Sequence, residues 1–280
     1  MLREVSARAI EEKVYDLCLE AGRRLEEPAA EALRRAAEEE QSPHGREMLR
    51  QLVENVTAAA ELNLPLCQDT GMAVVFVDVG QDAHIVDGLL GDAVNAGVRR
   101  AYRDGHFRAS VLTPLARVNT GDNTPAVLHT RLVAGARVTI TVAPKGFGSE
   151  NMSRLAMLTP SAGIEGVKDF VVETVRLAGG NPCPPVVVGV GIGGTFEGCA
   201  ELAKRSLLRP LGQPSPEDEL AALERELLAR VNALGIGPMG LGGRVTALAV
   251  QITAAHTHIA GLPVAVNMQC HCARHAAGEV

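Results

Sequence analysis

The stretch Val127-Leu128-His129-Thr130-Arg131-Leu132-Val133, then Ala134-Gly135-Ala136, then Arg137-Val138-Thr139-Ile140-Thr141-Val142-Ala143 decides between two kinds of architecture. Two strand-length β-branched runs flank a small glycine-centred turn, which reads as a β-hairpin. Around it strands alternate with helices. Ala73 to Val79 and Pro185 to Val190 are apolar strands, and Val86 to Tyr102, Gly163 to Leu177 and Glu197 to Leu208 carry helical patterning. Strict alternation would give a doubly wound parallel sheet. A hairpin within the series points instead to a mixed α/β (α+β) fold, with mixed β-sheets covered by helices and arranged in two lobes.

Toward the N-terminus, residues 3 to 40 read as helix, with Val5, Ile10, Val14, Leu17 and Leu25 recurring among charges; the Glu38-Glu39-Glu40 run reads as its solvated end. A second helix starts at Ser42-Pro43, a cap followed by proline at the first helical position. It carries Leu49, Leu52, Val53 and Val56 on one face and ends near Asn63-Leu64-Pro65, just before Cys67. Toward the C-terminus, Ser215-Pro216-Glu217-Asp218 caps a helix running to Leu234. Leu234 to Gly243 is a glycine-dense loop, and Arg244 to Ala254 and Leu262 to Val266 are strands. Residues 1–280 read as one region, whose two lobes would meet in sequence at a seam near 146–163.

Composition narrows the function. The 280 residues include five Phe, two Tyr and no Trp against 29 Gly and 15 Pro, so the core is aliphatic and the loops are numerous. That leaves no stacking platform for single-stranded nucleic acid, and a net charge of -6 disfavours an anionic polymer. Apolar runs such as Pro184 to Ile192 fall short of the roughly 18 residues of a membrane span. The opening Met-Leu-Arg-Glu-Val lacks an apolar signal region, so the expected location is cytoplasmic. There, six cysteines are expected to be reduced, catalytic or metal-binding rather than paired.

Two motifs are decoys. Gly189-Val190-Gly191-Ile192-Gly193-Gly194 matches the dinucleotide fingerprint between a strand and a helix, but Arg209-Pro210 stands where the ribose-binding acid belongs. The glycines serve close approach of a small anion or a packed neighbour instead. The histidines near Cys270 and Cys272 suggest zinc, yet those cysteines lie one residue apart with no matching pair elsewhere. His271 and His275 accordingly read as surface residues.

Three cysteines sit in loops stiffened by neighbours: Pro65-Leu66-Cys67-Gln68-Asp69-Thr70-Gly71, Asn181-Pro182-Cys183-Pro184-Pro185 and Asn267-Met268-Gln269-Cys270. Cys18 and Cys199, on helices, read as buried small apolar residues. Thiolates in fixed loops far apart in sequence suggest a metal cluster, and three ligands rather than four leave one iron open to act on a substrate oxygen.

Those loops, with Lys145-Gly146-Phe147-Gly148-Ser149-Glu150-Asn151, Ile192-Gly193-Gly194-Thr195 and the run from His258 to Cys270, resemble in order the cluster-bearing part of class I fumarases and L-tartrate dehydratases. The resemblance covers roughly residues 5 to 275 and is to the alpha subunit of the two-subunit form. It implies that Cys67, Cys183 and Cys270 ligate a [4Fe-4S] cluster with one iron lacking a protein ligand, lying between the two lobes. It further implies Asp69 as catalytic acid and His258 as proton carrier or hydrogen-bond donor, with His256 on the same strand face as its competitor. Gln68 and Arg108 would hold substrate carboxylates, and the main chain at Gly146 and Gly148 would approach the same small dicarboxylate. Phe147 stands where many relatives carry another glycine, and Cys272 lies two residues beyond a ligand.

The implied reaction is reversible hydration of fumarate to malate, with L-tartrate or another 2-hydroxy dicarboxylate as the nearest alternative. A non-catalytic iron-sulfur sensing module is the alternative of another class. A dianion needs several cations and these loops offer one arginine. The resemblance supplies the others from a beta subunit, in an α2β2 assembly, with no nucleic-acid or membrane partner.

Overall fold

The computed structural model describes residues 2–280. In chain order the elements are β1 (Arg3–Ser6), α1 (Ala7–Arg23), α2 (Glu27–Glu39), α3 (Pro43–Leu62), β2 (Met72–Gly80), β3 (Ala83–Val86) and α4 (Leu90–Asp104). Then follow β4 (Val127–Val133), β5 (Val138–Lys145), the single turn α5 (Phe147–Glu150), β6 (Arg154–Leu158), α6 (Gly163–Ala178), β7 (Val186–Gly194) and α7 (Phe196–Ser206). The chain closes with α8 (Asp218–Asn232), β8 (Ala247–Thr257), β9 (Leu262–Gln269) and β10 (Ala276–Glu279). No described helix is long and apolar enough to cross a membrane.

The chain divides into two compact units. One comprises the chain through Glu26, Asn55–Gly146 and Arg274–Val280; the other comprises Glu27–Glu54 and Phe147–Ala273. The first contains a four-stranded sheet in the order β10-β5-β2-β4. Here the expected hairpin is overturned, because β2 is inserted between its arms, antiparallel to β5 and parallel to β4. The reason is burial: Ala73 to Val77 are all buried, and so apolar a strand takes a neighbour on each edge. The Ala134-Gly135-Ala136 turn therefore passes over the end of β2, where Gly80 N–H donates to the Arg137 carbonyl at 2.7 Å. A Cβ at Gly80 would lie 2.5 Å from the Gly135 carbonyl oxygen, so only glycine lets that turn pass. Ile10, Val14 and Leu17 of α1 and Val94, Val98 and Ala101 of α4 share a core with Val75, Val77, Ile140 and Val142 of the sheet.

The second unit carries a sheet in the order β6-β9-β7-β8, with β7 parallel to β8 and antiparallel to β9. Helices α6 and α8 supply Val167, Val171, Leu223 and Leu227 to a core with Val186, Val188 and Ile252. Both four-stranded sheets are mixed and pack against helices, the α+β class expected from the sequence. The first two fingerprint glycines, Gly189 and Gly191, are packing residues. A Cβ at Gly189 would meet the Ala203 carbonyl oxygen at 2.3 Å, and one at Gly191 the Cys199 carbonyl oxygen at 2.1 Å, so α7 crosses β7 on bare backbone.

Two further expectations fail. The helix expected over residues 3 to 40 is three elements: β1, then α1 with Ser6 accepting the Ala9 N–H at 3.1 Å, then α2. Pro28, without an N–H, is tolerated only in a first helical turn and so starts α2 afresh. Glu40 is not solvated but fully buried.

Candidate functional site

In the first unit the loop Cys67 to Gly71 joins α3 to β2, and its main chain is gripped from several elements. Leu66 N–H donates to the Gly22 carbonyl at 2.9 Å, and Asn55 Nδ2 donates to the Leu66 carbonyl at 2.9 Å. The buried Tyr102 hydroxyl donates to the carbonyls of Thr70 (2.9 Å) and Gly71 (3.1 Å), and Asn123 Nδ2 to that of Gly71 (3.1 Å). Burial pushes the Tyr102 phenol far above its usual pKa, so it stays a donor at neutral pH. Asp69 Oδ1 accepts the Gly71 N–H at 3.1 Å, an Asx turn that fixes the carboxylate. Gly71 has φ +75°, and a Cβ there would sit 2.6 Å from the Lys145 carbonyl carbon.

That contact brings the end of β5 against the loop. A Cβ at Gly146 would lie 3.1 Å from Asp69 Oδ2, so Asp69 rests on the Gly146 backbone. Lys145 is buried, and its Nζ donates to the Gly146 carbonyl at 3.2 Å. Thr70 Oγ1 donates to the Arg108 carbonyl at 3.0 Å, tying that main chain to the loop while the Arg108 side chain stays exposed. Thus Cys67, Gln68, Asp69, Arg108 and Gly146 are gathered in this unit. Sequence reasoning missed Arg274. It is 4% exposed, its Nη2 donates to the Asp69 carbonyl at 2.5 Å, and its Nε and Nη1 have no partner among the described residues. An arginine four residues beyond Cys270 was the available signal, but nothing local distinguishes it from a surface cation.

In the second unit, Cys183 has φ +55° between two prolines, and the Pro184-Pro185 peptide is cis. Its N–H donates to the Gly180 carbonyl at 3.1 Å. Its carbonyl receives both the His271 N–H at 3.4 Å and a contact from His271 Nδ1 at 3.0 Å, which seats the Cys270-His271 segment beside the Cys183 loop. Gly148, in α5, sits near that loop, because a Cβ there would lie 3.6 Å from the Asn181 carbonyl oxygen. Glu150, in the same motif, is an anchor: it pairs with Lys204 at 2.6 Å and accepts from Asn267 Nδ2 at 2.8 Å.

His256 and His258 are not brought to these cysteines within the unit. Val186, three residues after Cys183, pairs with Ala247, whereas Thr257 pairs with Gly194. The histidines therefore lie at the opposite end of the β7–β8 ladder, eight residues or roughly 25 Å away by strand rise. His258 is exposed at the turn into β9, where its Nδ1 accepts the Ala260 N–H at 3.2 Å. The surface reading of His271 and His275 also fails. His271 braces Cys183, and His275, with 11% of its side chain exposed, pairs with Glu26 at 3.3 Å.

Among the described residues no disulfide forms, and the six cysteines fall into two groups. Cys67, Cys183 and Cys270 are partly exposed; Cys18, Cys199 and Cys272 are buried. Burial pushes the Cys18 thiol up to about 12 and raises that of Cys199, the behaviour of inert core thiols. No group of three or more His, Cys, Asp or Glu among the described residues is gathered tightly enough for a single metal ion. A groove of about 700 Å³ bounded by Ala32 and Ala36 of α2, Leu228 and Asn232 of α8, and Arg244 contains no candidate residue.

The match to the family described as "Fumarate hydratase (Fumerase)" spans residues 11–279. A Methanocaldococcus jannaschii protein provisionally named L(+)-tartrate dehydratase subunit alpha is 43% identical over 273 residues, covering 95% of this chain and 96% of that protein. The L(+)-tartrate dehydratase subunit alpha of Escherichia coli strain K12 is 34% identical over 251 residues, covering 88% of this chain and 82% of its own length. The ordered motifs, the sorting of the cysteines and these similarities agree: the chain belongs to the fumarate hydratase family and is a hydro-lyase.

Proposed function

We propose that this chain is the cluster-bearing alpha subunit of a two-subunit hydro-lyase that adds water to, or removes it from, a small dicarboxylate. The observation that carries this reading is the separation of the cysteines, since the three in stiffened loops are those that reach the surface. The donor set suits a [4Fe-4S] cluster: three accessible thiols, with no fourth cysteine in a like position. A buried arginine with two unpartnered N–H donors behind the Cys67 loop also suits an anionic group nearby. Cys67, Cys183 and Cys270 would hold the cluster, which when bound supplies a Lewis-acidic iron that polarises the substrate C–O bond.

The chain's own residues do the rest. Asp69, fixed by the Gly71 N–H and seated on Gly146, holds the proton that leaves with or returns from the hydroxyl group. Arg108 presents an exposed planar fork to one carboxylate, and the exposed Gln68 amide donates to the same ligand. Main-chain N–H groups at Gly146 and Gly148 add dipoles where negative charge grows on the carboxylate. His258 would carry a proton or donate a hydrogen bond to the substrate, as the resemblance implies, although within its own unit it lies at the far end of the β7–β8 ladder from Cys183. The remaining cations come from a beta subunit in an α2β2 assembly, a partner consistent with relatives named subunit alpha. Such an enzyme would work in the cytoplasm.

The substrate is fumarate and malate on the family description, and L(+)-tartrate on the relatives' names. Anaerobic assay of the chain with its beta partner on malate, fumarate, tartrate and mesaconate separates these. Full activity of the alpha chain alone would overturn the two-subunit reading. Cys183→Ser should abolish the broad visible absorption and most of the bound iron, while Cys18→Ser should leave both intact. A Cys183→Ser chain with its full iron and sulfide would overturn the ligand assignment.

A further inference from the structure

We propose that Glu40 is a positioning residue for the Cys183 loop, acting through the glycine turn that holds the Pro184 carbonyl. The proposal rests on the reading of Cys183 as a cluster ligand, but it is carried by geometry wholly within the second unit. Glu40 Oε1 accepts main-chain N–H groups of Gln41 (2.8 Å), Ser42 (2.8 Å) and Arg244 (2.9 Å), and Oε2 accepts those of Arg244 (2.9 Å) and Val245 (2.8 Å). The side chain is fully buried. A Cβ at Gly243 would lie 2.8 Å from its carboxyl carbon and both oxygens, so the main chain is drawn onto the carboxylate.

The turn so anchored closes on itself, with Gly242 N–H donating to the Ile236 carbonyl at 2.8 Å and Gly237 N–H to Thr246 Oγ1 at 3.2 Å. Its tip makes two contacts with the cysteine loop. Met239 N–H donates to the Pro184 carbonyl at 2.8 Å, and a Cβ at Gly240 would lie 2.7 Å from the Gly180 Cα. Gly180 is the residue whose carbonyl accepts the Cys183 N–H. Glu40 thus fixes the base of a turn whose tip braces both sides of Cys183. Burial works against its charge, but the ring of N–H donors outweighs this and holds the carboxyl below its usual range. With its oxygens facing main-chain donors in a closed environment, Glu40 is placed to hold backbone rather than to move protons.

The test uses the full-length chain under anaerobic, reducing conditions. In Glu40→Gln an amide NH2 must face main-chain donors, so exchange of the Cys183 amide, the one N–H between Pro182 and Pro185, and of the amides over 237–245 should speed up at least roughly tenfold, the scale of losing one charge-assisted hydrogen bond. Exchange at 67–71 should stay as it was, and Glu40→Asp should restore part of the protection. After reconstitution the Gln variant should lose iron to a chelator several times faster. Unchanged exchange of the Cys183 amide in a folded Gln variant overturns the proposal. If that variant does not fold, Gly240→Ala presses on Gly180 from the other end of the same turn, and unchanged exchange of the Cys183 amide there overturns it equally. Retention of iron by Cys183→Ser would strike down the ligand reading and leave the exchange result standing.

Discussion

The Cys67 loop of one unit and the Cys183 loop of the other solve one problem by opposite means. Around Cys67, side chains hold the backbone: Tyr102, Asn123 and Arg274 donate to consecutive carbonyls from Asp69 to Gly71. Around Cys183, backbone holds backbone, through Gly180, Met239 and His271, with three prolines limiting the dihedrals and the satisfied carboxylate of Glu40 at the base. The buried charges differ in the same way. Glu40 has all of its chemistry answered by main-chain donors, whereas Arg274 retains two N–H groups without a partner among the described residues. A fully satisfied buried charge belongs to a scaffold, while an unsatisfied one marks where an anionic neighbour would be welcome.

The difference can be broken experimentally. The largest effect is expected from Gly71→Ala, which places a Cβ at φ +75° and 2.6 Å from the Lys145 main chain. Strain and overlap together should cost about 2–4 kcal/mol in denaturant unfolding and displace Asp69. A loss below about 0.5 kcal/mol would mean the loop is looser than its contacts indicate. Tyr102→Phe comes next. It removes one hydroxyl that serves two carbonyls, and the Thr70 carbonyl then loses that partner, for about 1–2 kcal/mol. A neutral outcome would show that the grip around Cys67 does not depend on side chains.

The smallest effect is a pH dependence. The Glu40 carboxyl is held below its usual value in the folded chain. Its contribution is therefore present above the unfolded pKa of about 4.3 and lost as pH falls through the lower folded value. The stability gap between the native chain and Glu40→Gln should stay constant from neutral pH to about 5 and then close in acid. A gap that widened in acid would reverse the sign of the assignment.

Much of the chain could be read from local pattern. Amphipathic spacing marks α3, α6 and α8, and the Pro- and Gly-containing surroundings of Cys67 and Cys183, with the position of Cys270 just past a strand, separate them from Cys18 and Cys199 on helices. These signals lie within one turn or one loop, where neighbours in sequence are neighbours in space. What failed depended on distant partners. The arms around Gly135 look like a hairpin because nothing local reveals that β2, about 50 residues earlier, is apolar enough to divide them. Glu40 looks like the end of a charged helix because the donors that bury it, at Arg244 and Val245, lie 204 and 205 residues away.

The sequence by itself determined the aliphatic α+β character, the three loop cysteines set apart from the helical ones and the motif order that marks the family, since these follow from composition and short-range spacing. Tertiary structure alone decided the strand order, the burial of Glu40 and Arg274, the bracing of Cys183 by His271, and the separation of His258 from the cysteines of its unit. Strand pairing and the desolvation of a charge are set by which groups meet in space, and that meeting is a property of the folded chain.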